Sequence, residues 1–182
     1  MADSKWLEPG DQTINTPRIR DVSRRIKGDG LQYVENALLW VNQNIRVERD
    51  RPDWEKIFRN RIADQIIKDG FSTGCTDTAL VFTSILRAKQ IPVKYVEVIN
   101  KDWLESKTPN NSIEGHVFAE VQINNKWVVV DPEGMKITEE KTYKHHKVFA
   151  KGLDSWDIGI KSFEDLKNAF LRFKSPDYRS QG

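Results

Sequence analysis

The sequence predicts an α+β fold in which N-terminal helices precede a central apolar helix packed on an antiparallel β-sheet. Apolar residues first recur at helical spacing over residues 31–45 and again over 54–66. A strongly apolar run then follows the polar start Ser72-Thr73-Gly74-Cys75. Beyond Pro92 the pattern changes to runs rich in β-branched residues, two of them joined across Asn124-Asn125. The chain has 182 residues, enough for one well-buried core, and is read as one domain over 1–182.

Residues 1–29 are polar, contain Pro9 and Pro17, and read as an arm lying over the domain. Leu31, Val34, Leu38, Val41 and Ile45 define the first amphipathic helix. A second is expected from Pro52 through Trp54, Ile57, Phe58, Ile62 and Ile66, stopping before Gly70 as its C-terminal cap. The third begins near Cys75, contains Ala79, Leu80, Phe82, Ile85 and Leu86, and ends at Ile91-Pro92. Strands are expected at 93–99, 117–123 and 126–131, with a polar loop over 101–114. Asn tolerates positive φ, so Asn124-Asn125 suits a two-residue hairpin turn. A further strand is placed around Lys147–Ala150, and a last helix spans Phe163–Phe173 behind the capping pair Ser162 and Asp165.

Hydrophobic residues are 38% of the chain and charged residues 31%, a soluble globular composition. No window approaches the ~18–20 apolar residues of a membrane span, and the N-terminus has no apolar signal-like core, so a cytoplasmic setting is expected. The net charge of +2 is scattered, which argues against nucleic acid and membrane surfaces as partners. One cysteine excludes an intrachain disulfide framework.

That cysteine opens a core helix, where partial positive charge and free N–H groups favour a thiolate. Gly74 leaves room for a substrate backbone, and the Cys75 N–H can point at a developing oxyanion. A base and a group to orient it are also needed. With Asn124 and Asn125 as the turn, Phe118 faces Asp131, and His116 shares the face of Phe118. His116 and Asp131 then become diagonal neighbours within hydrogen-bond reach. A three-residue turn would put them on opposite faces. A zinc set of Cys75, His116, His145 and His146 matches no ligand spacing, so no metal or cofactor is expected, and His145 and His146 are read as solvent-facing.

Gly74-Cys75-Thr76-Asp77, the helix carrying Arg87, Ile91-Pro92-Val93, Gly115-His116-Val117-Phe118-Ala119-Glu120-Val121, and Trp127 through Asp131-Pro132 together resemble the transglutaminase-like superfamily. The resemblance covers about residues 60–135 and continues more loosely through Gly152–Asp157. It implies a papain-like fold and a Cys-His-Asp triad at Cys75, His116 and Asp131. Phe118 stands where many members have Trp. The family's second oxyanion donor is a side chain upstream of the Cys, for which Gln65 is favoured over Trp54 and Trp40. The expected activity is a cysteine hydrolase or acyltransferase acting on amide bonds of peptides or proteins, with hydrolysis favoured over amine transfer. A binding module that keeps the fold without turnover is the alternative from another class.

Overall fold

The computed structural model describes residues 4–106, 112–138 and 143–175. A 3-10 turn at Ser4–Leu7 leads to α1 (Pro17–Arg25) and α2 (Gly30–Asn44). A short strand β1 (Arg46–Val47) precedes two short helices, α3 (Trp54–Ile57) and α4 (Ala63–Asp69). Strand β2 (Phe71–Ser72) pairs in parallel with β1 and feeds α5 (Cys75–Ala88). Then come β3 (Val93–Asn100), α6 (Lys101–Glu105), β4 (Gly115–Ile123), β5 (Lys126–Asp131), β6 (Lys136–Thr138), β7 (His146–Gly152) and α7 (Phe163–Lys174).

The five-stranded sheet is antiparallel, in the order β6-β5-β4-β3-β7. Helix α5 is buried along nearly its whole length, its polar residues Thr76, Asp77, Thr83 and Arg87 included. Its Leu80, Phe82 and Ile85 join one core with Val34 and Leu38 of α2 and with Val117, Ala119 and Val121 of β4. A second cluster unites Ile99 and Trp103 with Leu166 and Phe170 of α7 at the other end of the sheet. No described helix is long and apolar enough to cross a membrane.

Several local expectations are met by visible chemistry. Gly70 ends α4 with φ of 71°, the left-handed conformation that glycine adopts at no steric cost. Asn124 and Asn125 have φ of 51° and 62°, and Ile123 pairs with Lys126, so the turn has two residues and the register is the one deduced. Ser162 caps α7 by accepting the Asp165 N–H at 3.1 Å.

Other expectations are corrected. The N-terminal stretch holds a helix where an irregular arm was read. Thr16 caps α1, Pro17 occupies its first turn, and Ile19, Val22 and Ile26 enter the main core. Three apolar residues among many arginines were too few to declare a period. The polar loop at 101–114 begins as α6, capped by Asn100, while its Pro109, Asn110 and Asn111 lie outside the described residues.

The helix expected from Pro52 to Ile66 is broken between Ile57 and Ala63. Its periodicity is real, but Arg59 takes φ of 58° and turns its side chain inward. There the guanidinium forms two parallel hydrogen bonds of 2.8 Å to the Glu97 carboxylate and a third of 2.8 Å to Ser155 Oγ. Left-handed backbone costs a non-glycine residue about 1–3 kcal/mol unless its surroundings hold it. Here they do. Gln12 Nε2 donates to the Arg59 and Arg61 carbonyls, and Trp156 Nε1 donates to the Arg59 carbonyl at 2.7 Å. The pairing of Arg59 with Glu97 outweighs the helix period.

Both partners of this pair are 2% exposed. Removing one charge strands the other in a dry site, a loss of about 3–5 kcal/mol for buried pairs. Arg59→Met and Glu97→Gln should each lower unfolding free energy by that order in urea titrations. A loss below about 1 kcal/mol in both would show that the pair does not hold this part of the fold.

Candidate active site

Cys75 is the first residue of α5, preceded by Gly74 with φ of 143°. The strand β2 delivers the chain to this point, and the turn is tied down by Asp77. Its Oδ2 accepts from the Thr73 N–H at 2.8 Å, from Thr73 Oγ1 at 2.9 Å and from Arg61 Nη2 at 2.5 Å. A carboxylate in the first turn of a helix also complements the dipole. Asp77 therefore fixes the loop that presents the thiol as well as complementing the dipole.

His116 enters from β4. Gly115 before it is obligatory, because a Cβ there would lie 2.6 Å from Phe170 Cε2 and 2.7 Å from the Val98 carbonyl oxygen. The imidazole Nε2 is 2.9 Å from Asp131 Oδ1, and the ring shares the cleft with the Cys75 side chain, with which it interacts electrostatically. With Nε2 engaged by Asp131, Nδ1 is the nitrogen left for the sulfur. The edge of Phe118 meets the His116 ring at 4.7 Å between centroids, which restricts how the imidazole can turn. Asp131 Oδ1 also accepts the Gly134 N–H at 2.9 Å, so one oxygen serves both the local turn and the histidine.

The electrostatics follow from these contacts. Burial works against a charged His116, but hydrogen bonds to Asp131 and Cys75 and their negative charges outweigh it and raise its pKa to about 10. Burial likewise opposes a charged Asp131. The His116 hydrogen bond and charge, with N–H groups of Gly134 and Glu133, hold its carboxyl below the usual range. The arrangement is that of a thiol beside an imidazole that a carboxylate holds in place.

The other sequence-named residues divide. Gln65 does not reach the thiol; its Nε2 donates to Asp69 Oδ1 at 2.5 Å on its own helix, and it does not line the cleft. Trp40 packs against the main core. Trp54 does line the cleft beside Cys75. His145 is exposed, but His146 is half-buried, packed on Phe118 with its ring 6.3 Å from His116, which corrects the solvent-facing reading. Burial, then the charges of His116 and His145, lower its pKa.

The cleft has a volume of about 470 Å³. Arg59 and Glu97 line it together with Phe163, Leu166 and Phe170 of α7, and no motif pointed to them. Glu97 left one trace in the sequence, a charge in the middle of a strand, Val93–Ile99, that is apolar apart from it and Lys94. The aromatic positions of α7 left none beyond helical spacing.

The sequence profile of the transglutaminase-like superfamily matches residues 20–132, which holds Cys75, His116 and Asp131. The chain belongs to the transglutaminase-like superfamily. Among solved structures it is similar to a protein from Cytophaga hutchinsonii provisionally described as a cysteine protease, with a TM-score of 0.65 and 15% identity. The match covers 88% of this chain and 50% of that one, so this chain spans half of that protein's length. None of the curated proteins matches it significantly.

The raised pKa of His116 depends in part on Cys75. Cys75→Ala removes both a hydrogen bond and a negative charge, so the His116 pKa should fall from about 10 towards the ordinary 6.5, as followed by NMR of the ring through a pH titration. An unchanged value would show that the two side chains do not interact.

Proposed function

We propose that this protein is a cysteine hydrolase acting on amide bonds of peptides or proteins, with Cys75 as nucleophile, His116 as general acid and base, and Asp131 as the residue that orients His116. The observation that carries this reading is the hydrogen bond between Asp131 and His116 in the cleft that Cys75 lines from the start of a buried helix. The Cys75 thiolate attacks the substrate carbonyl carbon and forms a tetrahedral oxyanion. The Cys75 N–H, in the first helical turn where no intrahelical acceptor exists, faces that charge. The C–N bond breaks as the His116 imidazolium gives its proton to the departing amine. A thioester remains. Water then adds to it while His116 takes a proton, the C–S bond breaks, and the carboxylic product leaves the thiolate–imidazolium pair restored. The indole N–H of Trp54 is the side-chain donor best situated to supplement the Cys75 N–H, since Trp54 lines the cleft and Gln65 does not.

Replacing water by an amine would turn the same thioester into a crosslink. Water is favoured here because the cleft is open, and a lysine acceptor would need its own channel to the sulfur. A peptide or protein is the expected partner.

Asp131→Asn keeps the size of the side chain but favours the wrong His116 tautomer. It should lower turnover of an amide substrate by several orders of magnitude, ~10⁴-fold in the serine-protease precedent, while the fold survives. The pH profile gives a second readout. His116 must be protonated to expel the amine, so turnover should fall as pH rises through about 10. Removing the Asp131 charge should move that limb to lower pH. A folded Asp131→Asn variant with near-normal turnover would overturn the assignment.

A further inference from the structure

We infer that the cleft beside Cys75 is a subsite for a large uncharged side chain on the acyl portion of the substrate, with the selecting wall built by α3 and α7. The inference rests on the amide-hydrolase reading above and adds the class of substrate.

One wall of the cleft consists of Trp54, Phe58 and Phe163, with Leu166 and Phe170 behind them. The three leading rings are half-buried and braced against one another. Trp54 is 4.6 Å from Phe58 and 5.2 Å edge-on to Phe163, and Phe58 is 5.9 Å from Phe163. Such mutually packed rings form a rigid apolar surface, which gains contact with a ligand without losing much side-chain freedom.

The charged groups on the lining come in neutralised pairs. Arg59 is bound by Glu97 at the floor, and Arg49 meets Glu133 at 2.8 Å near Gly74. His116, held by Asp131 at 2.9 Å, belongs to the third pair. A lysine or glutamate side chain entering the cleft would lose its hydration and find no uncommitted opposite charge, which is costly. A phenylalanine or leucine side chain would lose only its contact with water, which is favourable. A cleft of about 470 Å³ with one aromatic wall and its charged groups paired falls within the range of small-ligand sites.

The wall also ties specificity to a part of the chain outside the family match. Phe163, Leu166 and Phe170 all lie beyond residue 132, where that match ends. Phe170 rests against Gly115, next to His116, so α7 is positioned relative to the reacting groups by the same contact that demands glycine there.

The test uses dipeptidyl electrophiles that alkylate a reactive thiol, with Phe, Leu, Gly, Lys or Glu varied at each of the two positions. Iodoacetamide is run beside them as a probe without a side chain. At one of the two positions, Phe and Leu should label Cys75 at least tenfold faster than Lys and Glu. In Phe58→Ala and in Phe163→Ala, that ratio should shrink at least threefold while the iodoacetamide rate stays measurable. Either variant suffices, so loss of fold in one leaves the other to decide. Fast iodoacetamide labelling with a flat profile at both positions would overturn the subsite and leave the hydrolase reading standing. So would a preference that neither variant alters. A Cys75 that reacts with iodoacetamide like an ordinary thiol, unaffected by His116→Ala, would overturn both.

Discussion

The bidentate pair between Arg59 and Glu97 is the constraint on which the surroundings of the cysteine depend. A guanidinium taken out of water must find acceptors, and the carboxylate of a central strand supplies two in the matching planar geometry. To bring it there the chain leaves the helix after Ile57, adopts left-handed backbone at Arg59 and resumes as α4. The break leaves α3 as a separate short helix whose Trp54 faces the cleft, and it leaves Arg61 free to bind Asp77 in the first turn of α5. The cysteine loop, the aromatic wall and the sheet are thus referred to one another through one buried charge. Even the remote segments take part, since Gln12 and Trp156 hold the Arg59 carbonyl.

A second constraint is the parity of the β4–β5 hairpin. Side chains alternate along a strand, so adding one residue to the turn would separate His116 from Asp131 by the thickness of the sheet. Asn124 and Asn125 both sit at positive φ, which asparagine tolerates better than most residues, and the two-residue turn follows from that local preference. Asp131 Oδ1 then accepts from both His116 and the Gly134 N–H. A Cβ at Gly134 would meet Asp131 Oδ2 at 2.5 Å, so the turn itself leaves the carboxylate its place. The local capping of a turn and the orientation of a histidine are compatible uses of one side chain, and they do not compete.

What could be read directly from the chain were features with a local physical cause. The apolar period of α2 and α5, the glycine stop at Gly70, the paired asparagines of the hairpin and the Ser162 cap each report the conformation of their own few residues. The proximity of His116 and Asp131 belongs to this group as well, because an antiparallel hairpin carries its pairing register in the length of its turn. Cys75 at a helix start was legible for the same reason: the polar run before it and the apolar run after it mark the boundary.

Tertiary structure decided the rest, wherever the partner of a residue is distant along the chain. No local signal says that Arg59 will break a helix to reach Glu97, 38 residues on. Helix α1 escaped notice because its three core residues acquire meaning only when α5 and Tyr33 are there to cover them. His146 reads as a surface residue until Phe118 and His116 are placed beside it. Short-range order is set by backbone sterics and side-chain period, which each residue carries with it. Burial of a charge, or the closing of an aromatic wall by a C-terminal helix, is a free energy shared between segments and has no value until both are in place.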